Sequence, residues 1–411
     1  MDKHRSVQFL VLLLSLFFLG GAPPLVGALF KVGTYAPGII LSVGLFFVFL
    51  SKFWLRLLSA QVSALIWFAL LALWSLIQVV VSGGLNDRAI YSLVPFFLLI
   101  ITAKLVALYW ARVDERVVYL LIVTAVKVGG FLAVVNFLSG FEIGYLLGYP
   151  YNKSIYPFGE PSHFALFFGA FWLAFCLVVD KVAYFIWGGI YFSMAILLPS
   201  LSLLIYVVIL MVMSLRFTPS RLLALAFVVA CISIWALSSS YLLSRINIFG
   251  DVNLSGLVYL QGLFDAYNGF VETSGFGLGF QMLGTQPASD VSLEIACILG
   301  TDEATNRFDG GFLAAKLLAE YGVLGFVLVL LYLRRAIQSL VWVRGVCGRG
   351  AGELKELLCH CIVLGFSVEL FVRGIGYFSA GVFLFLIAIF YLGRGHAHKK
   401  THNDARELLS D

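Results

Sequence analysis

Residues 161–180, PSHFALFFGAFWLAFCLVVD, run from His163 to Asp180 without an intervening charged residue. This length approaches the ~20 residues that an α-helix needs to cross the hydrocarbon core of a bilayer. Because a backbone in lipid must satisfy its own hydrogen bonds, the run predicts a helix and not an open strand. Similar runs recur along the whole chain, which is 61% hydrophobic and only 12% charged. The sequence therefore predicts an all-α, polytopic integral membrane protein.

The apolar runs number about twelve, so we expect about 12 transmembrane helices. The predicted spans are 7–28, 36–54, 60–82, 89–110, 117–138, 162–180, 182–198, 202–217, 222–243, 311–333, 357–373 and 376–393. A cytoplasmic N-terminus puts most of the 27 Lys and Arg residues on the cytoplasmic side, as the positive-inside rule requires. Both termini are therefore predicted to be cytoplasmic. The first apolar run is expected to be a retained helix, broken or ended near Pro23 and Pro24.

The chain divides into four parts on this basis. The parts are 1–243 with nine spans and an exterior loop at about 139–161, 244–310 as a large exterior loop, 311–393 with three spans, and 394–411 as a cytoplasmic tail. Exterior loops of such length are usually functional when their composition is not that of a disordered segment.

The large loop contains its own pattern of apolar residues. In NLSGLVYLQGLFDAYNGF (253–270), Leu257, Leu260, Phe264 and Tyr267 form one stripe of a predicted amphipathic helix. Such a helix would lie along the membrane surface or cover a cavity. GFGLGF (275–280) lacks the preceding strand of a dinucleotide-binding fingerprint, so we interpret it as a turn that lets the backbone approach another element.

Glu160 and His163 flank the predicted start of the span at 162–180. Pro161 suits the first helical position, where its missing N–H costs nothing. Glu160 could then cap the helix and face its positive dipole end, and His163 could be an interfacial side chain. Both residues are also candidates for catalysis, since the preceding loop is rich in Tyr and Asn, side chains that suit sugar binding.

Exterior arginines form a second candidate set. Arginine donates two parallel hydrogen bonds to phosphate, so this set would suit a phosphate or pyrophosphate group. The residues are Arg245, Arg307, Arg373 and Arg88. Contact with lipid headgroups is the alternative interpretation for each of them.

Other polar residues fall within the predicted spans. Lys316 and Glu320, four apart, are expected to pair with each other in a structural role. Lys127 lies in mid-span and is a functional candidate without an assigned role. Cys359, His360 and Cys361 point about 100° apart on a regular helix, so we expect buried small residues there and no metal site.

Three segments together resemble the O-antigen polymerase (Wzy) family. They are GEPSHFA (159–165), GFGLGF (275–280) and NRFDGGFLAAKLLAEYGVLG (306–325), the last with its E-x-G-x-x-G pattern. The resemblance covers roughly 140–335, while the first four helices match only in kind. One departure is Pro199-Ser200-Leu201-Ser202, where many relatives have an arginine in the turn.

The resemblance implies a multi-pass glycosyltransferase of the bacterial inner membrane, with its active site facing the periplasm. It would join undecaprenyl-pyrophosphate-linked oligosaccharide repeat units into O-antigen or a related surface polysaccharide. In this interpretation Glu160 is the first candidate base and His163 the second, and the arginines hold the leaving pyrophosphate. We expect no cofactor, no metal and no nucleic-acid partner; a chain-length-regulating membrane protein is a further expected partner.

Two alternatives remain at this stage. An O-antigen ligase would transfer finished glycan to lipid A–core, but the ligases typically carry a loop histidine and residues 244–310 contain none. A lipid-linked oligosaccharide flippase also suits twelve helices, although it would need polar groups through the full depth of the membrane.

Overall fold

The protein is described by a computed structural model. It covers residues 3–30, 35–50, 69–70, 73–78, 87–140, 155–198, 200–214, 254–300, 307–346 and 353–407. Every regular element in these ranges is a helix. The predicted span at 222–243, most of the one at 60–82, and Arg245 lie outside them.

The described helices follow the predicted spans closely. In chain order they are α1 (Lys3–Leu16), a π-helical turn (Phe17–Gly21), α2 (Ala22–Leu29), α3 (Ala36–Leu50), α4 (Asp87–Trp110), α5 (Glu115–Leu138), α6 (Pro161–Val178), α7 (Lys181–Leu197), α8 (Leu201–Ser214), α9 (Leu254–Glu272), α10 (Asp290–Leu299), α11 (Leu313–Tyr321), α12 (Val323–Val346), α13 (Leu354–Phe371) and α14 (Ala380–Glu407).

Among the described residues, five helical stretches are long and apolar enough to cross a membrane. They are Arg5–Gly27, Asp87–Trp110, Glu115–Leu138, Pro161–Val178 and Val323–Val346. Four shorter apolar helices accompany them, at Ala36–Leu50, Val182–Leu197, Leu201–Ser214 and Ala380–Arg394. The described part of the chain is thus all-helical with several potential membrane spans. The count of about twelve and the side facing the cytoplasm stay predictions.

Helix α6, which contains the apolar run 164–179, is the centre of the bundle. Within its apolar window 72% of the residues are buried, against 17% for α12. It packs against α5, α8 and α13. Side chains such as Phe164, Leu173 and Tyr206 of α8 are almost completely buried around it. Because α6 is packed against three other helices, the position of its first turn is fixed.

The first apolar run is one continuous helix from α1 to α2. Its departure from α-helical hydrogen bonding lies just before the prolines. The π-helical turn covers Phe17–Gly21, immediately before Pro23 and Pro24 in the first turn of α2. Because proline has no N–H to donate back into the helix, a local change of hydrogen bonding at this point is expected.

The predicted span at 311–333 is wrong in its bounds. Helix α11 ends at Tyr321, Gly322 adopts φ +57°, and the long apolar helix α12 begins at Val323. The Leu278 and Gly279 N–H groups donate to the carbonyls of Ala319 and Glu320, at 2.8 and 2.9 Å. The prediction that GFGLGF brings the backbone close to another element is confirmed, and its partner is the end of α11.

The helix predicted in the large loop is confirmed as α9, and its predicted apolar stripe is only partly buried within the protein. Leu257 is buried, whereas Phe264 and Tyr267 are exposed. The face packed on α11 includes the small residues Ala266 and Gly269. Close approach of two helices favours small residues. The predicted stripe was chosen by apolar character alone and therefore did not identify this face.

Contacts between distant segments separate into two ends of the bundle. At one end Arg5 Nε donates to Asp114 Oδ2 at 3.1 Å, which joins the start of α1 to the turn before α5. At the other end the start of α6 meets the segment after α13, through Glu160 and Arg373. Successive helices that cross a membrane run in opposite directions, so alternate connections lie at opposite ends of the bundle. The second end is the one that the sequence analysis predicts to be outside.

Candidate functional site

Glu160 and Arg373 form an ion pair at this second end of the bundle. The Arg373 Nη2 atom lies 3.1 Å from Glu160 Oε1 and 3.2 Å from Oε2. Glu160 precedes α6, where Pro161 occupies the first turn, as the sequence predicts. The pair joins Glu160, which the sequence analysis considered as a base, to Arg373, which it considered as a ligand of pyrophosphate.

The Glu160 side chain does not cap α6. The residue stands at the cap position, with φ −140°, but its carboxylate makes no capping hydrogen bond. It accepts instead from the Ser162 hydroxyl, at 2.8 Å, and from Arg373. The capping interpretation is therefore wrong for the side chain, because a guanidinium competes successfully for the carboxylate.

His163 lies one position beyond this pair and is held by Tyr35. Its Nδ1 atom is 3.0 Å from the Tyr35 hydroxyl oxygen, which also accepts from the Gly159 N–H at 3.1 Å. The opposite ring atom, Nε2, is buried and has no hydrogen-bond partner in the described part of the chain. The ring is therefore fixed on one side and presents a bare nitrogen on the other.

His163 lines a pocket that also contains Glu369 and Tyr35. The cavity has a volume of about 20 Å³, enough for one water molecule. Glu369 belongs to α13 and is 1% exposed. The Ser379 hydroxyl approaches its carboxylate, while Oε1 has no hydrogen-bond partner among the described residues.

The turn before α11 contains Arg307 and is contacted by Arg88 from α4. Arg307 donates through Nη2 to the carbonyl oxygen of Gln286. The Arg88 guanidinium lies 4.4 Å from the ring centroid of Phe308, a cation–π contact that joins α4 to the turn. Arg307 and Arg88, two of the four candidate arginines, therefore both lie at this turn.

Asp309 connects this turn to the histidine. Its charge acts on His163, as do the charges of Glu160 and Arg373. The Asp309 carboxylate also lies against the backbone at Gly376, since a Cβ added there would come within 2.7 Å of Oδ1. The turn and the Glu160–Arg373 pair are consequently parts of one polar region.

A buried ion pair supports the turn from behind. Lys316 Nζ lies 3.1 Å from Glu320 Oε1, both side chains are fully buried, and the predicted pairing is confirmed. Lys316 also donates to the carbonyl oxygen of Phe308 and to Gln281 Oε1. Glu320 accepts from the Leu283 N–H at 3.2 Å. The pair therefore fixes the turn to the glycine-rich segment.

The remaining candidates lie elsewhere. Arg245 is outside the described residues. Lys127 is on an exposed face of α5 and does not line the pocket. His360 is buried, bonds Ser339 Oγ through Nδ1 at 2.9 Å and stacks on Trp342. Within the described ranges no three His, Cys, Asp or Glu side chains are grouped as metal ligands.

Sequence reasoning did not assign roles to Glu369, Asp309 or Tyr35. Glu369 and Asp309 carried a signal, because each is an ionisable residue near the outer end of a predicted span. Tyr35 carried none, since tyrosine is common at membrane interfaces. Comparisons with models of protein families, with curated proteins and with solved structures return no match.

Proposed function

We propose that this protein is a membrane glycosyltransferase that joins lipid-pyrophosphate-linked oligosaccharide repeat units, in the manner of the O-antigen polymerase family. One observation carries the proposal. A fixed histidine with a bare Nε2 atom lies beside an arginine, in a polar region at the predicted outer end of the bundle. A general base next to a phosphate-binding cation is what glycosyl transfer from a pyrophosphate requires.

His163 is the base in this proposal, and Glu160 positions Arg373. Both oxygens of Glu160 already accept hydrogen bonds, from Ser162 and Arg373. A carboxylate engaged in this way is poorly available to take a proton from a substrate. Nε2 of His163 has no partner among the described residues. In the tautomer with its proton on Nδ1, which donates to Tyr35, Nε2 carries the lone pair that would take the substrate proton.

The step balances as a direct displacement. The acceptor hydroxyl gives its proton to His163 Nε2 as its oxygen forms a bond to the anomeric carbon of the donor sugar. The bond from that carbon to the pyrophosphate oxygen breaks, and the electron pair leaves with the pyrophosphate. Arg373 stabilises the charge that develops there, with Arg307 and Arg88 near the same turn.

The two deep lysines favour an enzyme over a transporter. Lys127 is exposed on the outside of α5, where it lines no internal path. Lys316 is closed off in its pair with Glu320. A flippase would need polar groups along a continuous route through the membrane, and in the described ranges neither lysine contributes to one.

The test is reconstitution of the purified protein with lipid-pyrophosphate-linked repeat units, first without and then with lipid A–core. A ladder of products without lipid A–core supports the polymerase. Transfer only when lipid A–core is present replaces this proposal with a ligase, and movement of the lipid without a new glycosidic bond replaces it with a transporter. His163→Ala should lose product formation, and added imidazole should restore part of it if the histidine acts as a base.

A further inference from the structure

Two cations, Lys104 and Arg394, lie toward the end of the bundle where Arg5 contacts Asp114. Helix α4 ends there at Trp110, and Lys104 comes six residues earlier, ~9 Å along the helix axis. A helix of 24 residues is ~36 Å long, against ~30 Å for the hydrocarbon core of a bilayer. A lysine at this depth is therefore within reach of the phosphate groups of the adjacent leaflet.

Lys104 is buried without an anionic partner. It is only 7% exposed, and its Nζ atom lies 4.7 Å from the ring centroid of Phe390 on α14. The face of an aromatic ring attracts a cation but supplies no counter-charge. Among the described residues no carboxylate lies within ion-pair distance of this atom. A buried charge in this situation is costly and calls for a partner.

The group next to Lys104 is a second cation and not an acid. Phe390 and Arg394 are four residues apart on α14, so they share one face of that helix, and the charge of Arg394 acts on Lys104. The Nη1 atom of Arg394 is buried and has no hydrogen-bond partner in the described ranges. Two neighbouring cations repel each other, whereas an anion placed between them is attracted by both.

The acidic residues near this end of the bundle do not supply that anion. Glu115, in the first turn of α5, lies 3.5 Å from Lys355 and is paired with it. Along α14 the first acidic residue after Arg394 is Asp404, ~15 Å further along the helix axis. The anion is therefore expected to come from outside the chain.

We propose that Lys104 and Arg394 bind the phosphate group of an anionic lipid, in the leaflet that the sequence analysis predicts to be cytoplasmic. The ammonium and guanidinium groups donate to the phosphate oxygens. Gly393, beside Arg394, is exposed, and no atom of the described chain lies within 4 Å of its added Cβ, which leaves room for a headgroup. Basic pockets between membrane-spanning helices bind anionic headgroups in this way.

The test titrates phosphatidylglycerol into the purified full chain in a neutral detergent, with zwitterionic phosphatidylcholine as the comparison. Native mass spectrometry gives the dissociation constant of the first lipid bound. One basic residue near an anionic group contributes about a fivefold factor in affinity. Lys104→Met and Arg394→Met should each weaken phosphatidylglycerol binding by about this factor and leave phosphatidylcholine binding unchanged.

Lys127→Met is the matched control. Lys127 also lies within a potential membrane span, but it is exposed on α5. This variant should bind phosphatidylglycerol as the wild type does. Equal weakening in Lys127→Met and Lys104→Met would mean that binding follows total charge, and it would overturn the site.

Melting midpoints separate lipid binding from packing. Without lipid, Lys104→Met removes a buried charge that has no counter-ion, so its midpoint should be at least that of the wild type. Phosphatidylglycerol should raise the midpoint of the wild type and not that of the variant, because a ligand stabilises only the protein that binds it. An equal rise in both proteins would overturn the proposal.

Inorganic phosphate distinguishes a lipid from a soluble anion. Added without lipid, it should raise the wild-type midpoint much less than phosphatidylglycerol does. An equal rise would show that the two cations take a soluble anion, and the assignment to a lipid would be wrong. None of these measurements requires formation of a glycan product, so the result stands apart from that of the proposed function.

Discussion

Arg373 and Glu160 are joined through a single guanidinium nitrogen that lies 3.1 and 3.2 Å from the two carboxylate oxygens. The pair ties the start of the central helix α6 to the segment after α13, 213 residues away. Its side chains remain 16% and 28% exposed. The pair can therefore fix the position of the Arg373 guanidinium while both side chains stay accessible to a substrate.

Removing either partner should affect activity more than stability. Partly exposed ion pairs contribute about 1 kcal/mol or less to stability, so Glu160→Gln and Arg373→Gln should fold. Loss of one preorganised donor to a developing anion typically costs ~10²–10³-fold in rate, and we expect losses of about that size in polymerisation. Initial rates and melting midpoints are measured on the same preparations.

The double variant is the control for this pairing. If Glu160 acts by positioning Arg373, the combined variant should be no slower than Arg373→Gln alone. A loss equal to the product of the two single losses would mean that the residues act independently, against the positioning role given to Glu160.

Gly322→Ala should detach the glycine-rich segment from the end of α11. Gly322 has φ +57°, and an added Cβ would lie 2.0 Å from the Gly275 carbonyl oxygen. Gly300 has φ +62°, but in the described ranges nothing lies within 4 Å of its added Cβ. Gly300, with ψ +35°, is in the left-handed α region, which costs a residue with a Cβ ~1–2 kcal/mol. Gly322, with ψ −126°, is in a region that glycine alone readily adopts, so its substitution adds a larger backbone cost as well as the collision.

The measurement is amide exchange at Leu278 and Gly279, whose N–H groups donate to α11. Gly322→Ala should speed exchange at both, and Gly300→Ala should leave them unchanged. Unchanged exchange in Gly322→Ala would show that the close approach of Gly322 to Gly275 does not hold the segment on α11.

Features governed by local rules were predictable from the sequence. Pro161 marked the start of α6, the four-residue spacing of Lys316 and Glu320 gave their pairing, and the glycines of 275–280 indicated close backbone approach. Each of these follows from spacing along the chain or from the conformational limits of one residue type.

Features that depend on distant contacts were not predictable. The partner of Glu160 is 213 residues away, and no periodicity encodes such a contact. Capping was one of two interpretations of the Glu160 carboxylate, and it took into account only the helix that follows. For α9, packing on α11 buries Ala266 and Gly269 and leaves Phe264 exposed, since close helix packing selects small residues over large ones.

Lys316→Met should be strongly destabilising. Removal of one partner leaves Glu320 as an uncompensated buried charge, which typically costs ~3–5 kcal/mol. The double variant Lys316→Met/Glu320→Leu should recover much of this loss, because a buried pair can often be replaced by apolar residues of similar volume. The melting midpoint in detergent, together with the yield of folded protein, checks both statements.

The exposed pair Arg5–Asp114 provides the comparison. It has the same 3.1 Å separation, but its side chains are 33% and 32% exposed. Arg5→Met should therefore change the melting midpoint only slightly. A comparable shift at both sites would indicate that burial does not set the cost of breaking the Lys316–Glu320 pair.

Asp265 should make the docking of α9 depend on pH. Burial raises the pKa of the Asp265 carboxyl from 3.8 to about 6, and the nearby Arg307 opposes this shift. The folded loop therefore binds a proton more tightly than the unfolded chain, so the stabilisation is complete below pH ~4 and is lost as the pH rises through about 6. Because the site is partly open to solvent, the effect is taken as about 1 kcal/mol.

The pH dependence is checked by amide exchange in α9 between pH 4 and pH 7, corrected for intrinsic rates. Protection should fall over this range in the wild type and stay constant in Asp265→Asn, whereas Asp290→Asn, at an exposed position on α10, should behave as the wild type. Arg307→Gln removes the opposing charge, so the loss of protection should move to higher pH. A pH dependence that persists in Asp265→Asn would mean that another group binds the proton. The proposed coupling between Asp265 and Arg307 would then be wrong.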